Sequence, residues 1–338
     1  LNPALFAGAF ALFLLAACAP ARTARRPEAP PPETATAAAT RPVLRVIHLI
    51  HGDGEYSYHD SSGKRLHADR EALERAREAG RSRPDVEVYV FHLRAGRTGW
   101  FTGRHDGTWE HYRGGALLEG GRYTRAEKDT AFEAEAAILL RHRGAAALPV
   151  TRLAYFGHEL PLRDAEGYFR ANPQRPFSQA RLARALAALQ PPDFGKPFEG
   201  VVLSMCYGGN PGLIEALRPV ANWAVASPAY LHLSYLDADA LADPGARFPA
   251  DTVAARSFAR LGAHVSTEIT TAVYDLDRVR PPAVPVPANA ADPLWKDCAE
   301  APGFDSASAA AGTRLFYRPP RFGAGRDKAA RSAWQCAF

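Results

Sequence analysis

Two side chains of the right types stand at the ends of two strand-like runs. Cys206 closes the apolar run Val201-Val202-Leu203-Ser204-Met205, and Tyr207-Gly208-Gly209-Asn210 follow before Pro211 opens a helix. In open α/β sheets, ligands bind and chemistry is placed at the carboxyl ends of strands. A thiol ahead of a helix N-terminus gains thiolate character, and paired glycines let a substrate come close. A cysteine by itself is usually a small buried hydrophobe. What favours chemistry is a second strand end 48 residues upstream, where residues 150–156 run into Gly157-His158-Glu159. Two strands joined by a helix form a parallel unit whose carboxyl ends share one edge of the sheet. A histidine and a cysteine on neighbouring ends form the pair needed for thiol activation, one taking the proton and the other attacking.

The elements that would hold this pair can be read from pattern. Residues 43–50 (VLRVIHLI) predict a first strand, leading into a polar loop, His51 to Asp60, at the same sheet edge. That loop is rich in His and Asp but matches no metal-ligand spacing, so no metal is expected. A charged helix is predicted over 68–79, stopped by Gly80, and an alternating strand over 86–93. Residues 94–123 read as a hairpin or long loop around Trp109-Glu110-His111-Tyr112, where packing is the commoner use of aromatics. Thr124-Arg125-Ala126-Glu127 has the form of a capping box opening a helix with Phe132, Ala136 and Leu139 on one face and closed by Gly144. A helix over 178–189 separates the His158 and Cys206 strands, and a short one follows over 211–217. A strand over 221–226 leads to Ser227 and Tyr230 in a loop expected to wall the cleft. Phe258, Leu261, Val265 and Ile269 predict a late helix, and 272–276 a final strand. The alternation predicts an α/β fold, a three-layer sandwich with a mostly parallel central sheet.

The 338 residues are 47% apolar and 23% charged, a globular composition. The net charge of +5 comes from arginines spread along the chain, with no basic cluster interleaved with aromatics, which argues against nucleic-acid binding. Residues 4–17 are apolar but too few to span a bilayer, and read as the core of a signal peptide. They end in Leu15-Ala16-Ala17-Cys18, which resembles the bacterial lipobox. That resemblance implies a lipidated Cys18 and a place in the bacterial cell envelope. With Ala19 rather than Asp next, the place implied is the outer membrane, facing the periplasm. No Lys or Arg precedes the apolar run. Residues 19–42 are a Pro/Ala/Thr-rich tether. The folded domain is expected over 43–278 and a Pro-rich extension packed on it over 279–338, where Cys298 and Cys336 could pair in an oxidising compartment.

With Gly157-His158 at one strand end and Cys206-Tyr207-Gly208-Gly209 at the next, the chain resembles the caspase-fold cysteine peptidases, most closely the clostripain-like bacterial family. The resemblance runs from about residue 43 to 276 and includes the Ala224-Val225-Ala226-Ser227 strand. It implies a Cys–His dyad without cofactor, His158 as general base and acid and Cys206 as nucleophile, acting on a protein or peptide substrate. It also implies an oxyanion hole from the backbone N–H groups of Cys206 and Glu159, and a substrate pocket near Ser204, Tyr207, Ser227 and Tyr230. Two positions depart from the family. Glu159 replaces the usual Gly after the histidine. Ser204 replaces the acidic residue that selects a basic P1 side chain (the residue whose carbonyl is attacked), so arginine specificity is not expected.

Two other readings stand beside this one. A caspase-fold lipoprotein that has lost its chemistry would serve as a binding module, with Glu159 as the mark of that loss. Ser204-Met205-Cys206-Tyr207-Gly208 also has the outline of a degenerate nucleophile elbow, but that fold puts its histidine after the nucleophile and begins its elbow with Gly.

Overall fold

The structure is a computed structural model. It describes residues 44–52, 57–59, 62–98, 105–125, 132–142, 150–158, 160, 167–169, 172–176, 178–189, 198–228, 231, 238–245, 247–264, 266, 269–279 and 312–318. The chain divides into two units, Leu1–Ala39 and Thr40–Phe338, and all described residues fall in the second. Cys18, Gly144, Glu159, Tyr230, Val265, Cys298 and Cys336 lie outside the described residues, as do the whole tether and most of the extension.

In chain order the strands are β1 (Leu44–His51), β2 (Ser57–His59), β3 (Arg65–His67), β4 (Val86–Thr98), β5 (His105–Arg113), β6 (Ala116–Tyr123), β7 (Val150–Phe156), β8 (Gly167–Phe169), β9 (Asn172–Pro176), β10 (Phe198–Ser204), β11 (Ala221–Ala226), β12 (Ile269–Asp275) and β13 (Thr313–Arg318). The helices are α1 (Ala68–Ser82), α2 (Glu133–Arg141), α3 (Gln179–Ala188), α4 (Pro211–Leu217), α5 (Ala238–Leu241) and α6 (Ala250–His264). Nine strands form one sheet in the order β13-β12-β11-β10-β7-β1-β4-β5-β6. Its five central strands, β11 to β4, run parallel, and both flanks are antiparallel.

The central strands β1, β7 and β10 are buried along nearly their whole length, Val150 at the start of β7 excepted, because helices cover both faces. Alternate side chains serve the two faces. Leu49, Tyr155, Val201 and Leu203 pack with Leu139 of α2, Leu186 of α3 and Ile214 of α4. Val46, Val90, Ala154 and Val202 pack on the other face with Ala76 of α1, Leu241 of α5 and Val253 of α6. The three-layer α/β sandwich read from the sequence is the observed architecture.

Charges inside these layers are paired. Arg152 of β7 is 2% exposed; its Nε donates to Glu199 at 2.9 Å and its Nη1 to the carbonyls of Leu241 and Asp243. The strand that ends at His158 is thereby tied to β10 and to α5. Arg45 of β1 donates to Glu87 of β4 at 2.7 Å, and His111 of β5 lies 3.0 Å from the same carboxylate. Burial alone would raise the Glu87 pKa; His111 and Arg45 outweigh it and hold it at about 2. His111 also stacks on Tyr89 at 4.3 Å, so this part of the Trp109–Tyr112 segment is core.

Several sequence expectations fail locally. Gly80 does not stop α1, which continues to Ser82: it lies buried, and a Cβ there would meet the Tyr112 ring at 2.6 Å. Gly80 is a contact point between helix and sheet, not a terminator. Thr124 and Arg125 are not helical; the Arg125 N–H donates to Asp106 at 2.7 Å, and α2 opens only at Glu133. Phe132 precedes α2 in the left-handed region (φ 55°), fully buried beneath Arg125, rather than lying on the helix face. Ile269 begins β12 and is not part of the late helix, and β12 runs antiparallel to β11. β13 adds a strand from a region whose composition announced none.

Candidate active site

The site is built by register. β7 and β10 are paired in parallel up to Phe156 and Ser204. The Gly157 N–H then donates to the Ser204 carbonyl at 3.2 Å, carrying the pairing one step further. His158 and Cys206 therefore leave adjacent strands at the same level, each two residues beyond the last aligned pair. Both are half-buried, as groups at a sheet edge that must meet a substrate would be.

The turn after β10 is fixed by its own packing. Tyr207 is 1% exposed and adopts φ 53°, which swings the chain toward α4. A Cβ on Gly208 would stand 3.0 Å from the Met205 side chain, and one on Gly209 would collide with the Tyr274 hydroxyl and come within 2.9 Å of the Pro228 nitrogen. The paired glycines thus admit the protein's own chain, not a substrate, against the expectation from their sequence. The Gly209 N–H donates to the Ser227 carbonyl at 2.7 Å, and Tyr274 donates to the Gly209 carbonyl at 3.1 Å. The N-terminus of α4 is occupied by Asn210, whose side-chain oxygen accepts from the Leu213 N–H at 2.9 Å. The same Asn210 donates to Gln179 of α3 and to the Tyr207 carbonyl, at 2.6 and 2.8 Å. The short helix expected to polarise the thiol therefore has an amide turned to its own cap, while α3, α4 and the cysteine turn are locked together.

Cys206 Sγ contacts the main chain of Leu231 twice. The thiol donates to the Leu231 carbonyl at 3.2 Å and accepts from the Leu231 N–H at 3.3 Å. This pair suits a neutral thiol. A thiolate would keep the N–H contact and be repelled by the carbonyl, so deprotonation favours movement of Sγ away from that oxygen.

Beside this contact is a cavity of about 20 Å³ whose lining includes Ser204, Ser227, Leu231, Ser257, Leu261 and Thr271. Of the pocket residues read from sequence, Ser204 and Ser227 face this space, while Tyr207 is buried and does not line it. Ser257 on α6 and Thr271 on β12 had no sequence signal; Thr271 sits only two residues beyond Ile269, which reads as helix by spacing.

The His51 loop contributes differently than expected. His51 is the buried last residue of β1, edge-on to Phe132 and Tyr155 at 5.3 and 5.1 Å, its Nδ1 3.4 Å from the Tyr155 hydroxyl. Burial, with Arg125 and His92 adding to it, holds its pKa well below the ordinary histidine range, so it is a neutral packing group. Ser57 to His59 form a small ribbon with β3. No group of three or more His, Cys, Asp or Glu among the described residues could hold a metal ion. A much larger cavity, about 1000 Å³, lies between α1 and the β4–β6 strands. Its described lining holds no cysteine, serine or lysine, Arg77 is paired with Glu110 and Glu74, and His92 stands 3.7 Å from Asp69. Size alone would select it as the site; the chemistry selects the strand ends.

No protein-family model and no curated protein matches the chain. Solved structures do. An X-ray structure of a secreted C11 cysteine protease from Bacteroides thetaiotaomicron, in complex with an irreversible peptide inhibitor, superimposes with a TM-score of 0.51 at 13% identity, covering 70% of this chain and 67% of that one. A second structure of a secreted C11 protease from the same organism gives 0.48 at 12%, with the same coverage. An inactive zymogen C11 protease from Parabacteroides distasonis gives 0.45 at 12%, covering 69% and 62%. The first of these likenesses carries the conclusion: the chain has the fold of a C11 cysteine protease, as the clostripain-like resemblance implied.

Proposed function

We propose that the chain is a cysteine endopeptidase that cleaves peptide bonds through a thioester acyl-enzyme. The observation that carries this is the register of β7 and β10, which brings a histidine and a cysteine to one level on neighbouring strand ends. The Cys206 proton passes to His158, and the thiolate attacks the scissile carbonyl carbon. The carbonyl oxygen becomes an oxyanion stabilised by backbone N–H groups of Cys206 and residue 159. The C–N bond breaks as His158 returns the proton to the leaving amine. Water, deprotonated by His158, then hydrolyses the thioester and restores the thiol. Glu159 in place of Gly keeps the backbone donor. A lipid on Cys18 would hold the enzyme at the outer membrane facing the periplasm, a reading supported by the Leu15-Ala16-Ala17-Cys18 pattern.

The test is alkylation with an iodoacetamide probe from pH 5 to 9, comparing wild type, Cys206→Ala and His158→Ala. Fast labelling of Cys206 below pH 7 that is lost in His158→Ala is expected of the dyad. Slow labelling indifferent to His158 would remove the peptidase mechanism and leave the fold as a binding module.

A further inference from the structure

The cavity beside Cys206 has a composition that calls for a particular ligand. Ser204 and Thr271 are 2% and 4% exposed, and neither hydroxyl oxygen reaches a hydrogen-bond partner among the described residues. Both line the same space, together with the hydroxyl residues Ser227 and Ser257. Buried hydroxyls left unpaired are costly, so two of them facing one cavity point to a polar guest. The guest is small. About 20 Å³ is the room needed by one water-sized group, such as a hydroxyl or a methyl, and not by a guanidinium or an aromatic ring. It is also uncharged. The described lining carries no ionised side chain, and an unpaired charge would be stripped of water there.

The position of the cavity connects it to the chemistry. Leu231, whose main chain contacts Cys206 Sγ at 3.2 and 3.3 Å, is also one of its walls. Ser204 lies two residues before the thiol on the same strand, and Ser227 follows the end of neighbouring β11. A residue whose carbonyl carbon is bonded to Sγ has its own side chain only one atom further on, and Leu231 stands against both the thiol and this space. We infer that the hydroxyl-lined cavity is the pocket for the P1 side chain and restricts the enzyme to small, uncharged P1 residues, serine foremost, then alanine and glycine. The inference rests on the peptidase reading. It makes Ser204 and Thr271 specificity-determining residues: each can exchange a hydrogen bond with a P1 serine hydroxyl that a P1 alanine lacks.

The experiment uses the full chain and a set of fluorogenic peptides identical except at P1, carrying Ser, Ala, Gly, Leu, Phe, Lys, Arg or Asp. Acylation of Cys206 is followed in parallel by mass spectrometry. Ser204→Ala and Thr271→Val are measured on the P1-Ser and P1-Ala peptides, and the readout is the ratio of their kcat/KM values. A ratio within one protein preparation does not change merely because a variant is less well folded. Expected are cleavage confined to Ser, Ala and Gly, and a Ser-over-Ala preference that falls about fivefold in each variant, the worth of one ordinary hydrogen bond. Preference for Lys, Arg or a bulky P1 residue, with Cys206 still acylated, overturns the pocket and leaves the peptidase reading intact. An unchanged ratio in both variants also overturns it, showing that the cavity holds a structural water alone. Absence of Cys206 acylation by every peptide removes the peptidase reading and the pocket with it.

Discussion

Acidification from pH 7.5 to 4 should cost the protein about 3 kcal/mol through His48 alone. This side chain sits in the middle of β1, between Val90 of β4 and Ala154 of β7, 3% exposed, with no hydrogen-bond partner at Nε2. Burial lowers its pKa from 6.5 to about 4. The unfolded chain therefore binds a proton at pH 6.5 that the folded chain refuses until about pH 4, so stability is full above 6.5 and declines below it. Each tenfold rise in proton concentration across that interval costs about 1.4 kcal/mol, giving the total of about 3. The assay is urea unfolding at half-unit steps of pH, on wild type and on His48→Leu. His51 is also held neutral by burial and contributes to both proteins, so the difference between the two curves isolates His48. That difference should grow by about 3 kcal/mol between pH 7.5 and 4, with the variant the flatter of the two. At pH 7.5 the variant should be no less stable, because an apolar side chain of similar size removes an unsatisfied buried nitrogen. Parallel curves would refute the reasoning, since they would mean that His48 is hydrated or protonated in the folded state.

Other perturbations separate packing from chemistry. Gly80→Ala should destabilise by about 1–3 kcal/mol in chemical denaturation although alanine is the better helix former, because the added methyl meets the Tyr112 ring at 2.6 Å. Asn210→Ala should cost about 2 kcal/mol or more through loss of the α4 cap and of the bond to Gln179. With the cysteine turn loosened, it should also slow Cys206 alkylation at pH 6.5 relative to wild type. Glu87→Gln should destabilise by about 3–5 kcal/mol at pH 7 by leaving Arg45 buried without its anion. Because the Glu87 pKa is lowered from 4.5 to about 2, wild type should lose this advantage as pH falls from 4.5 toward 2, measurable as converging thermal midpoints.

The sequence by itself determined the parallel centre and the pair of strand ends. Residues 153–156 and 201–203 are continuous apolar runs because helices bury both faces, and that leaves a local mark. α3 was legible from Leu182, Leu186 and Leu189 on one face ahead of Pro191-Pro192, and α4 from Pro211 at its first position; the Ser178 and Asn210 caps agree with both. His158 and Cys206 could be picked out from type and position alone. What only the tertiary structure decided was long-range contact. Gly80 reads as a stop until Tyr112 is seen against it, and Thr124-Arg125-Ala126-Glu127 reads as a cap although the Arg125 amide is bonded to Asp106. Ser257 and Thr271 join Ser204 and Ser227 around one small cavity because β12 pairs antiparallel beside β11 and α6 packs across both. Nothing within a few residues of 257 or 271 records that approach. Local pattern reports how each segment meets its own burial; which distant segments supply it is fixed by packing summed over the whole sheet.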